Sequence, residues 1–283
     1  MLVLSVIASI SSVVLRNCIT NMLSKTKLKT VKDINTFNII SYGMCILIFG
    51  IMLLSESLSW FTVLVALLFG IITALNAMYS MLALSTGPMH ITLLIATSSM
   101  IIPTMSGVFF GEKFSPLKLI AVFVLIAFVY MSLDKKSTAR TSKKWFLYCG
   151  LYFILQGAIG VIQKIHQSSP YKGETSGFLF IAFLCSVFYA AVRNRGNVDL
   201  KRLGTTNVIY GVVCGICVFL MNYINLKLSG ILPSQLFFPL VNGSCIILSS
   251  VASVVIFKEV LSKKQLVGLI GGIASLIAIC LLP

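Results

Sequence analysis

The side chains best placed to do chemistry in this chain are neutral and polar, and they recur at helix-face spacing inside apolar runs. Gln235, Pro239, Asn242, Ser249 and Ser253 fall at i, i+4, i+7, i+14 and i+18, which keeps them on one face of a 3.6-residue helix. His90, Thr97 and Thr104 trace the equivalent face of an earlier segment. A looser set, Thr73, Asn76, Tyr79 and Ser80, is answered later by Asn222, Tyr223, Asn225 and Ser229. Polar groups facing lipid are costly, so such stripes point to a water-filled cavity that binds a solute. Neutral donors and acceptors in this number suit a zwitterionic or uncharged metabolite. The competing reading of the Asn and Ser residues is hydrogen bonding between helices, which contributes about a kcal/mol or less per contact. Pro103 and Pro239 lie within the two stripe-bearing segments. There a missing N–H and a ring clash loosen the backbone ladder and free carbonyls for a substrate, with a simple kink as the alternative.

Charge enters the apolar runs sparingly. Arg16 and Lys164 are embedded at corresponding places and could attract a carboxylate or phosphate; otherwise their long stems carry the charge to the nearest interface. Glu112 and Glu259 stand at the ends of the two stripe-bearing segments, where capping, pairing with loop lysines or gating is expected. No Asp or Glu lies in the middle of an apolar run, which removes support for proton-coupled cation efflux through a buried carboxylate. His90 is the titratable group nearest a predicted cavity end, and His166 is assigned to a loop. The eight cysteines all fall within apolar runs and read as small packing residues; Cys214 and Cys217 form a lone C-x-x-C without a second pair or a nearby His. No metal, cofactor or catalytic group is expected.

These residues must be positioned by membrane helices. With 58% hydrophobic residues, 10% charged residues and a mean hydropathy of +1.02, too little polar surface remains for a soluble globule of 283 residues. Apolar stretches near 2–23, 34–54, 61–84, 88–110, 116–133, 145–166, 177–192, 206–228, 231–257 and 264–282 predict ten transmembrane helices in an all-α, polytopic membrane protein. The period-2 alternation of a membrane barrel is absent. Residues 2–23 read as a first span rather than a cleaved signal, since a basic n-region and a small-residue cleavage site are missing. The connectors carry no Gly-rich phosphate loop, which argues against ATP-driven transport. The net charge of +15 resides in loops rather than in a nucleic-acid face. Lys25, Lys27, Lys29 and Lys32, then Lys135, Lys136, Arg140, Lys143 and Lys144, then Arg193, Arg195, Lys201 and Arg202, then Lys258, Lys263 and Lys264 follow the odd-numbered spans. The positive-inside rule puts those loops in the cytoplasm and both termini outside.

The chain also repeats itself. Pro88, His90, Thr97, Ser99 and Thr104 correspond to Pro233, Gln235, Asn242, Ser244 and Ser249, and Gly70 to Gly215, each pair 145 positions apart (88 to 233, 70 to 215). Glu112 and Ser115 match Glu259 and Ser262 at 147, and Arg16 matches Lys164 at 148. Two repeats of five spans, residues 1–137 and 138–283, must enter the bilayer in opposite orientation, a pattern associated with transporters. At the Glu positions, Gly111-Glu112-Lys113-Phe114-Ser115 and Glu259 with Ser262, Gln265, Gly268 and Gly272 resemble the repeated signature of EamA-type transporters of the drug/metabolite transporter superfamily. The first copy departs from that signature at Lys118 and Ala121. The resemblance implies a carrier with a central cavity between the inverted repeats, working by alternating access on a small organic solute. It also implies cytoplasmic termini, opposite to the charge bias.

The expected function is therefore a secondary transporter or facilitator of a small metabolite such as an amino acid, in the cell membrane, with the lipid bilayer and a small-molecule substrate as its partners. A flippase for a lipid-linked or polyprenyl-linked sugar and an intramembrane enzyme are the alternatives; an enzyme would need paired carboxylates, a His cluster or an activated nucleophile. Gly107/Gly111 and Gly268/Gly272 have G-x-x-x-G spacing, which predicts close helix packing within a monomer, with a homodimer through the last helix as the alternative.

Overall fold

The computed structural model describes residues 2–28, 30–54, 56–86, 92, 95–96, 98–113, 115–132, 143–196, 203–257 and 262–282. Lipid offers the backbone no hydrogen-bond partner, so apolar runs of this length satisfy their amides internally as helices. Ten helices are described: α1 (Leu2–Thr26), α2 (Val31–Leu53), α3 (Trp60–Thr86), α4 (Ile101–Ser106), α5 (Pro116–Ser132), α6 (Lys143–Gln167), α7 (Thr175–Arg193), α8 (Thr205–Ile231), α9 (Ser234–Phe257) and α10 (Lys263–Leu281). A 3₁₀ turn over Gly107–Phe110 continues α4, and no strand occurs among the described residues.

Seven of these helices are long and apolar enough to cross a membrane: α1 through Leu2–Thr20, α3 through Trp60–Ala83, and α2, α6, α7, α8 and α10 over their full lengths. The described apolar stretches of α4 and α5, Ile101–Phe110 and Pro116–Met131, are shorter. Most of the first part of the predicted span 88–110 lies outside the described residues. Large apolar side chains cover the outside of the helices, among them Leu4, Ile51, Trp60, Phe109 and Phe188, each more than two-thirds exposed. A surface of this kind suits contact with lipid rather than water.

Local sequence sets several boundaries. Thr30 caps α2 in a reciprocal box, its hydroxyl accepting the Asp33 N–H while the Asp33 carboxylate accepts the Thr30 N–H. Ser262 and Gln265 form the same device at α10. Gly111 ends the 3₁₀ turn with φ +74°, a left-handed conformation that glycine adopts without a Cβ clash.

The helices form two compact units, each drawing on both sequence repeats: residues 1–78 with 165–230, and residues 79–164 with 231–283. In the first unit α2 runs along α7. Its core is aromatic: Tyr42 and Phe49 pack on Phe183, Phe49 packs on Phe219, and Phe69 packs on Phe178, with ring centroids 4.8–6.1 Å apart. In lipid the packed state gains little from the hydrophobic effect, so close van der Waals contact must hold helices together. Glycines supply it. A Cβ on Gly215 of α8 would lie 2.6 Å from the Ser41 carbonyl and from the Met44 Cβ, and the Cys45 thiol donates to the Gly215 carbonyl at 3.3 Å. A Cβ on Gly70 of α3 would strike the Ala182 carbonyl and lie 2.8 Å from the Cys185 Cβ, and Ser186 donates to the Gly70 carbonyl at 2.9 Å. One turn earlier, Ser41 donates to the Gly211 carbonyl at 3.0 Å, so α8 is threaded against α2 through two glycines four residues apart.

In the second unit α5 runs along α10, and α9 packs against both. Gly243 of α9 lets Leu125 and Leu276 approach, and Gly271 of α10 receives the Phe128 ring. Gly160 of α6 meets Pro103 of α4 and Phe238 of α9, where an added Cβ would lie 2.8–2.9 Å from both. The reading of Gly107 and Gly111 as a close-packing pair holds for Gly107, which lies against the first residue of α9, and needs correction for Gly111. Gly107 opens the 3₁₀ turn and makes room for the Glu112 carboxylate and the Ser234 Cβ, and Gly111 is a turn residue with nothing within 4 Å of an added Cβ.

Candidate substrate site

Each unit holds its own set of buried polar groups. In the second unit the set is built where α4 and α5 meet the start of α9. Lys164, near the end of α6, is ion-paired with Glu112, and the two side chains are 8% and 16% exposed. The ammonium also reaches the Leu232 carbonyl at 3.4 Å. Glu112 accepts from the Ser234 N–H at 2.7 Å and from the Ser234 hydroxyl at 3.1 Å, so it satisfies the positive end of α9. Gln235, 4% exposed, returns the contact: its Oε1 accepts the Ser115 N–H at 3.1 Å, just ahead of α5. Its Nε2 is buried and makes no hydrogen bond to a described residue. The Lys164 ammonium is thus held by Glu112 inside the protein, and Glu112 pairs with a helix lysine rather than with a loop lysine.

Other predicted residues of this unit are occupied locally. Asn242 donates back to the Phe238 carbonyl at 2.9 Å. Pro239 sits buried inside α9 and Pro103 inside α4; lacking an N–H, Pro239 leaves the Gln235 carbonyl without its usual intrahelical donor. Tyr79 packs on Tyr148 with centroids 6.1 Å apart, and Ser80 is half-buried on the next position of α3. Trp145, 1% exposed, donates to the Thr92 hydroxyl at 3.0 Å. His90, Thr97 and Glu259 lie outside the described residues, as do the side chains of Ser249 and Ser253.

In the first unit α1, α2 and α8 supply the polar groups. Ser9 donates to the Asn225 Oδ1 at 2.5 Å, which fixes α1 against α8. Arg16 lies two turns further along α1 and is partly exposed. Asn222 donates back to the Val218 carbonyl at 2.9 Å. Tyr223 stacks on Phe219 and takes Lys227 both over its ring and on its hydroxyl, at 2.6 Å. Asn76 is half-buried within α3.

The first unit also contains a pair of contacts that the sequence did not reveal. Glu56, ahead of α3, accepts the Gly177 N–H in the first turn of α7 at 2.9 Å. Glu174, ahead of α7, accepts the Ser59 N–H and hydroxyl at the start of α3, at 2.9 and 2.8 Å. Each carboxylate caps the other's helix. Burial alone would raise the Glu174 pKa, but the Thr62 and Ser59 hydrogen bonds and the neighbouring His166 outweigh it and hold the carboxyl below the usual range. His166 itself is corrected from loop to helix: it is the penultimate residue of α6, fully buried, stacked on Phe178 at 4.4 Å and beside the Thr62 hydroxyl.

The described polar groups are thus engaged in helix caps, one ion pair and hydrogen bonds within and between helices. All eight cysteines are free thiols, and no group of three or more His, Cys, Asp or Glu suited to a metal occurs among the described residues.

The fold has known company. A solved crystal structure superposes on 99% of this chain and 99% of its own with a TM-score of 0.69, at 15% identity, which is a likeness of fold alone. No family model matches the sequence, and no curated protein sequence does. Among the described residues, fold and polar groups together define an all-helical protein with seven helices long and apolar enough to cross a membrane.

Proposed function

We propose that this chain is a secondary transporter of the EamA-like type, which carries a small organic metabolite, such as an amino acid, across the cell membrane by alternating access. One observation supports this most. The contact of Gly215 with Ser41, Met44 and Cys45 has a twin in the contact of Gly70 with Ala182, Cys185 and Ser186. Gly70 and Gly215 are repeat mates, and each partner in the second contact lies 141 positions after its counterpart in the first (41 to 182, 44 to 185, 45 to 186). Exchanging the repeats reproduces the contact, as a pseudo-two-fold relation between them requires. With five spans per repeat the second copy is inverted, and inverted repeats are a common plan of secondary transporters. The pairing of α2 with α7 and of α5 with α10, mates in the same scheme, agrees.

Substrate-facing roles fall in this reading to Asn76, Tyr79, Ser80, Asn225, Gln235 and Asn242, with Glu112 and Lys164 holding the start of α9. The buried Gln235 Nε2, which makes no hydrogen bond to a described residue, is a donor available to a solute carbonyl. A thermal-shift screen of the purified chain against amino acids, nucleosides, sugars and aromatic compounds identifies a ligand by mass action. Uptake of that ligand into proteoliposomes is expected to fall in Gln235→Leu and Asn242→Leu. Unchanged uptake in both variants, with protein folded and inserted, overturns the site assignment. Stabilisation by a lipid-linked sugar alone would favour a flippase instead.

A further inference from the structure

We propose that Arg16 is the anion-recognising group of a ligand subsite within the first unit, one that takes the carboxylate or phosphate of a small solute. The inference rests on the transport reading for the ligand's role as substrate, but not for its binding.

Register places the guanidinium. Ser41 and Cys45 donate to the carbonyls of Gly211 and Gly215, so α2 and α8 run in the same direction with those residues level. Ser9 meets Asn225, and α1 runs opposite to α2. Arg16 is seven residues beyond Ser9, on the same face of α1, and therefore faces α8 seven residues back from Asn225, near Val218. Val218 is thirteen residues from either end of α8. Arg16 is fourteen residues from the start of α1 and ten from its end, which at ~1.5 Å per residue is ~21 and ~15 Å along the helix, about half a bilayer core or more. The arginine thus sits deep within the unit.

At that depth a guanidinium needs a partner. The four described carboxylates are all engaged elsewhere: Asp33 caps α2, Glu56 caps α7, Glu174 caps α3, and Glu112 binds Lys164 and Ser234. Among the described residues, the five N–H donors of Arg16 make no hydrogen bond or ion pair, and the side chain is partly exposed rather than sealed. The rigid fork of donors matches a carboxylate or phosphate in two parallel hydrogen bonds. Lys164, the corresponding residue of the second repeat, has its carboxylate supplied by Glu112. Arg16 presents the same charge with the place of the carboxylate left to a ligand.

The test uses the full chain in detergent. Thermal unfolding is followed with benzoate, with its neutral match benzamide, with inorganic phosphate, and with phosphatidylglycerol or phosphatidylcholine in mixed micelles. Benzoate or phosphate is expected to raise the melting temperature in a concentration-dependent way, and benzamide to leave it unchanged. In Arg16→Gln the apparent affinity should fall about tenfold or more, since hydrogen bonds to charged groups contribute ~1.5–3 kcal/mol. Lys227→Gln, which removes an exposed charge from α8, should respond as wild type. If Arg16→Gln does not fold, Arg16→Lys serves, with a weaker response expected from loss of the fork. Stabilisation by phosphatidylglycerol alone, lost with Arg16, names a lipid as the source of the anion. Equal stabilisation by benzamide, an anion response that survives loss of Arg16, or none at all overturns the subsite. Exchange of benzoate that persists unchanged in Arg16→Gln also overturns it, leaving transport in place. Arg16-dependent anion binding without any solute exchange sustains the subsite and sinks the transport reading.

Discussion

Breaking the Lys164–Glu112 pair tests whether a buried charge organises the start of α9. Removing one member of a buried pair typically costs ~3–5 kcal/mol, because the survivor stays desolvated and uncompensated. Here the two changes should differ. In Lys164→Met the Glu112 carboxylate keeps the Ser234 N–H and hydroxyl and is 16% exposed, so ~2–3 kcal/mol is expected. In Glu112→Gln the ammonium, 8% exposed, keeps the Leu232 carbonyl at 3.4 Å but loses its counter-ion, so ~3 kcal/mol or more is expected. The double variant removes both charges and should cost less than the sum of the singles, giving a coupling of ~1.5–3 kcal/mol. At ~2–4 °C per kcal/mol, each single change should lower the melting temperature by about 4–12 °C. Melting of the four proteins in one detergent measures this. Singles within ~0.5 kcal/mol of wild type and additive in combination would refute the reasoning, since that is what a solvated pair gives.

Four further outcomes follow from the same contacts. Gly107→Ala forces a methyl into the Glu112 carboxylate and to within 2.9 Å of the Ser234 Cβ, so it should destabilise by ~1–3 kcal/mol and lose most of that penalty in a Glu112→Ala background, as read by melting temperature. Asn35→Leu strips the donor that Asn194 accepts at 3.0 Å in a buried contact and should lower the melting temperature by an amount equivalent to ~1–3 kcal/mol; no change would show that the contact is idle. Gly215→Ala and Gly70→Ala, at twin contacts, should each destabilise strongly and similarly; a large cost at one and none at the other would contradict the twinning. Because the Glu174 carboxyl is held below its ordinary value, its contribution is fully present above the unfolded pKa of ~4.3 and is lost as pH falls through the lower folded value. Glu174→Gln should therefore be less stable at neutral pH and flatter below pH ~4 than wild type, and parallel acid limbs would count against the cap.

Much of this was legible before any coordinates. Apolar runs announce the helices because lipid leaves the backbone no other solution, whereas the starts of α2 and α10, set at Val31 and Lys263 by the Thr30 and Ser262 capping boxes, lie slightly earlier than the apolar runs that begin at 34 and 264. Long-range capping was not legible. Glu56 and Glu174 meet helix starts 121 and 115 residues away, and nothing local distinguishes them from solvated loop acids. Gln235 read as a cavity residue from its helical face, but half its amide caps Ser115, a use visible only once α5 and α9 are neighbours. Lys164 is the clearest case. Its position near a helix end suited a charge carried out to the interface, and only the fold brings Glu112 to it. Gly211 and Gly215 have the same spacing as Gly107/Gly111 and Gly268/Gly272, but their significance depends on Ser41 and Cys45 lying opposite.

The central claim is that the chain exchanges a solute across a bilayer by alternating access, and counterflow tests it most directly. Proteoliposomes are loaded with an excess of the unlabelled ligand found by thermal shift, diluted, and offered the labelled ligand outside. An alternating-access carrier predicts transient, saturable accumulation of label above equilibrium, absent from protein-free vesicles. Label that only equilibrates, or never enters although the protein binds it, would contradict the account.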